Sequence, residues 1–301
     1  MSRKRWAAQE SRTQRKMIVR ISKGAYPAPR HDEIAARLRS AFARGFFYIP
    51  VSIVRQRKKM MNLVVGASGA TGRLLVKHLL DRGQNVKVIV RSPDNLPDIL
   101  KNHDHFSVIR ASVLDLSDVE LAQHVKGCAA VVSCLGHNMS WKGIYGHPRR
   151  LVTDATRRLC NAIQGNKAEE LIKFVLMNTA GNRNRDLREP ISLGQKCVLG
   201  ILRLLLPPHV DNEKAADYLR TSIGQLDKAI EWTAVRPDSL VNEDHVTEYE
   251  VHPSPTRSAI FDAGSTSRIN VAHFMADLIT DDDTWNRWKG QMPVIYNKAS
   301  S

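Results

Sequence analysis

The chain has 301 residues, a net charge of +15 and a hydrophobic share of 43%. That suits one large domain with an extension, or two small domains. Residues 1–60 hold sixteen Lys and Arg against three acids, so the remainder is close to neutral, and the basic character gives no ground for a nucleic-acid surface on the folded body.

The division expected is a basic N-terminal extension, 1–60, and a single folded domain, 61–301. Four readings of the extension stay open. It is a basic disordered arm, an Arg-rich and acid-poor transit peptide, a segment binding nucleic acid or an acidic membrane surface, or a stretch foreign to the natural protein. The last is favoured, because Met60-Met61 would make a start directly before the first strand. A short helix is conceivable over 33–44. The apolar run Phe46–Val54 contains Pro50, is too short to span a bilayer, and lacks a secretory cleavage pattern.

Residues 63–72 read Leu-Val-Val-Gly-Ala-Ser-Gly-Ala-Thr-Gly. An apolar strand over 61–66 runs into glycines at 66, 69 and 72, and an amphipathic helix follows over 71–82. Such a turn offers backbone N–H groups and the positive end of a helix to a pyrophosphate. Gly66 permits the tight turn, Gly69 removes a Cβ where phosphates approach, and Gly72 lets helix and strand pack closely. The flanking strand and helix supply the context that a dinucleotide-binding motif requires. Ser68, Ala70 and Thr71 complete the turn.

The second strand, 85–90, ends at Arg91-Ser92, where an NAD-selective site usually carries an acid. A guanidinium favours a 2′-phosphate by charge and paired hydrogen bonds, and Arg73 is placed to join it. The expectation is NADP(H) in preference to NAD(H).

Strands are predicted at 106–110, 129–134, 172–178, 231–236 and near 293–296, and helices at 95–102, 117–125, 149–165, 212–223 and 270–280. Strands alternating with helices predict an α/β fold, a Rossmann-type doubly wound parallel sheet. Ligands then lie beyond the carboxyl ends of the strands. Ser112 and Val113 are expected at the adenine, Cys134, Leu135 and Gly136 at the ribose, and Thr179 and Ala180 at the nicotinamide. Asn178, Gly181 and Arg236-Pro237-Asp238 mark the remaining strand exits.

The four cysteines form no Cys-x-x-Cys pair and read as buried free thiols of a reducing cytosol. The histidines lack metal spacing, so no metal site is expected. The apolar stretch Ile191–Leu206 follows an Arg-rich loop at 183–188. It reads as a lid or packing element, with a dimer face or a membrane-touching patch as alternatives.

The body resembles the atypical short-chain dehydrogenase/reductase superfamily, in particular its NmrA-like and biliverdin/flavin reductase-like NAD(P)H-binding branch. Val64–Arg73, Val88–Ser92, Val131–Gly136, Glu231–Asp238 and Ser267–Met275 carry the resemblance, which covers roughly residues 61–297. It implies NADP(H) binding through Gly66, Ser68, Gly69, Ala70, Thr71, Gly72, Arg91 and Ser92, together with the strand-end groups at 112–113, 134–137 and 179–180. This chain departs from it in lacking Tyr-x-x-x-Lys. Ala180 and Asp238 also stand where the flavin reductase-like branch has Ser and His.

Without a Tyr-Lys acid, reduction of simple ketones is disfavoured. A flavin, quinone or similar planar acceptor asks mainly for positioning against the nicotinamide. His137, Asn138, Lys214 and Asp238 are candidate helpers. The expected function is therefore an NADPH-dependent oxidoreductase acting on a small planar acceptor, cytoplasmic, without a transmembrane segment, monomeric or homodimeric. The alternative is a non-catalytic NADP(H)-binding redox sensor or assembly factor.

Overall fold

The computed structural model describes residues 61–137, 140–141, 145–166, 170–187, 189 and 192–298. The extension 1–60, with the 33–44 helix expected there, lies outside the described residues, as do Asn138 and Ile191.

Five strands and four helices alternate first: β1 (Met61–Val65), α1 (Ala70–Asp81), β2 (Asn85–Val90), α2 (Asp98–Lys101), β3 (Phe106–Arg110), α3 (Asp118–Val125), β4 (Cys128–Ser133), α4 (Leu151–Gly165) and β5 (Ile172–Met177). Then come α5 (Leu193–Leu205), α6 (Pro207–Tyr218), β6 (Ile230–Pro237), β7 (Ser239–Val241), β8 (Tyr249–His252), β9 (Ser265–Ser267), α7 (Arg268–Thr280), α8 (Asp282–Trp288) and β10 (Val294–Asn297). The main sheet has the order β3-β2-β1-β4-β5-β6-β10-β8. Its strands are parallel except β8, which runs antiparallel to β10. The strand order reverses between β1 and β4, the crevice where this class of sheet takes its ligands. This is the Rossmann-type doubly wound fold in a single domain.

Alternating residues of each central strand face opposite layers, as the two-residue strand period dictates. Leu63, Val65, Val131, Phe174, Leu176 and Trp232 pack in one core with Leu121, Leu159, Ile163 and Ala215 of α3, α4 and α6. Val64, Val88, Val132, Val175 and Val235 pack in the other with Leu75 and Leu79 of α1 and Val271 and Met275 of α7. Burial on both faces explains why these strands read as unbroken apolar runs.

Local signals set several boundaries. Ser117 and Glu120 form a reciprocal capping box that starts α3. Ser267 caps α7 by accepting from the Asn270 N–H at 3.2 Å.

Three expectations change. The helix expected over 95–102 contracts to a 3₁₀ turn, Pro93–Asn95, and the single-turn α2. The helix expected over 212–223 starts at Pro207 and passes into a π turn, Leu219–Ile223. Pro207-Pro208 opens α6, because proline suits the first helical turn, where its missing N–H costs nothing. The stretch 193–205 is the helix α5, which buries Leu199 and leaves Leu193, Ile201, Leu204 and Leu205 exposed. Among the described residues, no helix is long and apolar enough to cross a membrane.

Candidate cofactor site

The glycine turn joins β1 to α1 at the reversal point. Gly66 has φ +77°, and a Cβ there would lie 2.5 Å from the backbone carbonyl of Cys134 and 2.7 Å from the Leu135 nitrogen. A side chain at 66 would therefore force the β1 and β4 exits apart. The Gly69 N–H closes the turn on the Gly66 carbonyl at 3.0 Å. A Cβ on Gly72 would overlap that same carbonyl oxygen. Helix α1 starts after Gly69 with no side-chain cap and no acid in its first turn, which leaves its leading amides and positive end uncompensated. Ser68, Gly69 and Ala70 are exposed, whereas Thr71 and Gly72 are buried beneath them. Opposite, Gly136 is exposed with nothing near its Cβ position. The residues present fit a pyrophosphate: the turn is open to solvent and cradled by backbone donors.

At the exit of β2, Arg91 and Ser92 are exposed, and Arg91 makes no ion pair among the described residues. Arg73 on α1 is exposed as well. A third guanidinium was not anticipated. The parallel register sets Arg110 opposite Val90, so Arg110 leaves β3 one position short of the level of Arg91, and it too is exposed. The only signal in the sequence was a basic residue closing the third strand. Ser112 is half-buried and accepts from the Leu114 N–H at 3.3 Å. Val113 points into the core beside α3 and α4, so only its backbone is available to a ligand. Burial pushes the Cys134 thiol up to about 12, an inert thiol whose contribution at this point is its backbone. Cys128 and Cys160 are buried and Cys197 is exposed, all four being free thiols.

Three of the four candidate helpers are among the described residues, and each has different surroundings. The His137 side chain is 5% exposed and donates from Nε2 to Asp211 Oδ2 at 2.8 Å. Asp211 also accepts the N–H groups of Val152 at 2.8 Å and Thr153 at 2.9 Å. It thereby caps α4 from a distance, in a helix whose own N-cap position, Arg150, supplies no side-chain bond. Burial alone would raise the Asp211 carboxyl, but the hydrogen bonds from His137, Thr153 and Val152 outweigh it and hold the group below its usual range. Lys214 is exposed in mid-helix and lines a surface hollow with Arg150, Arg157 and Tyr218. Asp238 accepts the N–H groups of Gly264 and Ser239, each at 2.9 Å. Its pKa is raised by burial, against the lowering by those bonds.

At the exit of β5, Asn178 accepts from the Thr179 N–H at 2.9 Å and donates to the Asn212 carbonyl at 2.9 Å. Ala180 is buried, with its N–H held by the Pro237 carbonyl at 2.8 Å. Beyond it lie two hollows of about 390 and 410 Å³, each within the size range of small-molecule sites. Arg183 and Leu199 belong to the walls of both. Neither wall includes the glycine turn. They lie where the loop after β5 meets α5 and, in the larger hollow, residues 255–262.

Arg236, in the Val-Arg-Pro segment, is 0% exposed and pairs with Glu189, itself 4% exposed. Its guanidinium donates to both Glu189 carboxylate oxygens, at 2.7 and 3.0 Å, and to the carbonyls of Met292, Asn182 and Pro253. Every N–H of the side chain is thus engaged, and Arg236 fastens the loop after β5 to β6 as a structural tie.

A family model described as NAD(P)H-binding matches residues 66–282. A chloroplastic Arabidopsis thaliana protein of uncharacterized function is 26% identical over 223 residues, 73% of this chain and 72% of that protein. Among solved structures, a wide-type short-chain dehydrogenase/reductase from Veillonella parvula in complex with NADP aligns with a TM-score of 0.58 and 18% identity, over 80% of this chain and 95% of that one. A candidate NADH-flavin reductase from Streptococcus pneumoniae aligns with a TM-score of 0.54 and 18% identity, over 79% of this chain and all of that one. At these identities the two structures establish a shared fold.

Proposed function

The chain belongs to the NAD(P)H-binding family, and from that membership we propose that it is an NADPH-dependent oxidoreductase that reduces a flavin, quinone or similar planar acceptor. The observation that carries this reading is the open, uncapped turn Gly66–Gly72 at the strand reversal, with the exposed Arg91 at the neighbouring strand exit making no ion pair among the described residues. The turn amides and the N-terminus of α1 would hold the pyrophosphate. Arg91 and Ser92, with Arg73 and Arg110 as neighbours, would hold the 2′-phosphate. Backbone groups of Ser112 and Val113 would border the adenine. Cys134, Leu135 and Gly136 would border the ribose, and Thr179 and Ala180 the nicotinamide. The bound reduced nicotinamide would supply a hydride.

The body tyrosines 145, 218, 249 and 296 have no Lys four residues on, so the Tyr-x-x-x-Lys spacing that serves to protonate an alkoxide is missing from the body. A conjugated ring spreads the incoming charge and takes its proton from water. The protein's part is then to set a flat acceptor in the hollow next to Ala180 and Gly181.

The engagement of His137 by Asp211 and of Asp238 by two backbone amides favours a second reading, a sensor that binds NADP(H) without turnover. Loss of NADPH absorbance, followed with the purified protein and a panel of flavins and quinones, separates the two. Saturable NADPH binding without turnover on any acceptor would select the sensor. Absence of saturable binding would remove both readings.

A further inference from the structure

Among the described residues, the guanidinium groups around the two hollows are matched with carboxylates, with one exception. Arg203 holds Glu213 at 2.8 Å, Arg185 holds Asp217 at 3.2 Å, Arg257 holds Asp262 at 2.7 Å, and Arg236 holds Glu189. Arg183 forms no ion pair among the described residues, and its Nε is buried without a hydrogen-bond partner. A buried donor left unpaired on a charged side chain is costly. Nearby carboxylates are committed elsewhere: Glu213 faces both Arg203 and His209, and Glu189 is taken by Arg236 and the Asn184 N–H. Lys196 lines the same hollow as Arg183 from α5, is exposed, and likewise has no ion pair among the described residues. The wall of that hollow carries Arg183, Arg185, Lys196 and Arg203 against the single acid Glu213.

We propose that this hollow receives the anionic group, a phosphate, sulfonate or carboxylate, of the planar acceptor, with Arg183 as its main partner and Lys196 as its second. The inference rests on the oxidoreductase reading for the word acceptor only; the anion site stands on the unmatched cations. Arg183 is common to both hollows, and the larger one reaches Ala180 and Gly181 at the β5 exit. A ligand whose ring lies by Ala180 therefore has its charged tail directed at Arg183. A guanidinium offers such a group paired donors in a fixed fork, and Lys196 adds a point charge. The site selects acceptors by charge, and a neutral ring of the same shape loses that contribution.

The test uses two probe pairs that differ mainly in the anionic group: FMN with riboflavin, and anthraquinone-2-sulfonate with 2-hydroxymethylanthraquinone. Flavin binding is read by fluorescence polarisation and quinone binding by competition with FMN. The full chain should hold the charged member about tenfold more tightly. Arg183→Gln should erase that preference while moving riboflavin affinity less than about twofold. Arg183→Lys should keep part of it, and Lys196→Gln should lower it by a smaller factor. A thermal melt and an NADPH titration of each variant confirm that fold and cofactor site are intact. Equal affinity within both pairs, a preference that survives Arg183→Gln, or no saturable binding of any probe would overturn the proposal. NADPH binding is read separately. If it fails while the charge preference holds, the cofactor reading falls and the anion site stands.

Discussion

Asp211 and His137 meet at 2.8 Å with side chains 1% and 5% exposed, and the same carboxylate holds the first amides of α4. The pair ties the β4 exit to α4 and α6 and resembles a structural cap more than a proton donor facing solvent. Asp211→Ala would strand an imidazole and two helix amides at once. It should destabilise the protein by about 3 kcal/mol, measured by urea unfolding. His137→Gln, which can still donate to the carboxylate, should lose less. A near-neutral Asp211→Ala would show that solvent reaches this network.

Gly66 packs on the Cys134 carbonyl, and Gly72 packs on the carbonyl of Gly66 itself. Gly66→Ala places a methyl 2.5 Å from the Cys134 carbonyl at a φ of +77°. The expected result is a loss of about 2 kcal/mol or more, together with weakened NADPH binding, because the β1 and β4 exits must separate. Gly136, with open space around its Cβ position, is the control. Gly136→Ala should leave the thermal midpoint nearly unchanged while obstructing the cofactor.

Cofactor choice should depend on the β2 and β3 exits together. Arg91→Ala should weaken NADPH by about 1.5–3 kcal/mol, the range for a hydrogen bond to a charged group, with NADH affinity little altered. Arg110→Ala should act in the same direction and less strongly. Isothermal titration with both coenzymes decides this, and equal affinity of the native protein for the two would refute it.

Acid sensitivity is built into the α1–α7 contact. The His78 imidazole is pushed down to about 4, by burial first and then by the charges of His273 and Arg82. It packs edge-on against His273, whose partners include Asp277 and Tyr249. A lowered folded pKa means that the unfolded chain binds more protons between about pH 6.5 and 4. The contribution is therefore intact above pH 6.5 and is lost as the pH falls towards 4. The loss is about 2 kcal/mol after allowing for the partial exposure of the ring. His78→Leu should flatten stability against pH across that window. An unchanged slope would assign the acid sensitivity to another group.

The glycine turn and the alternation of strands and helices were legible in the sequence because each is written within a few consecutive residues. Arg236 was not. It reads as one member of a strand-exit segment, yet its meaning depends on Glu189, 47 positions earlier in an irregular loop. Asp211 escaped notice for the same reason, since the amides it caps lie 58 and 59 positions away. Helix α5 was hidden differently: its apolar residues crowd between Cys197 and Leu205, and so short an apolar run does not tell a helix from a strand or a packing loop. Strands β7 and β9 have three residues each, too few to show a period of two.

Strand β10 slots between β6 and β8, although β8 precedes it by some forty positions. During synthesis, β6 must therefore wait with a bare hydrogen-bonding rim until Val294–Asn297 emerge from the ribosome. Nascent chains stalled before that point should be held by chaperones, and release should coincide with insertion of the final strand.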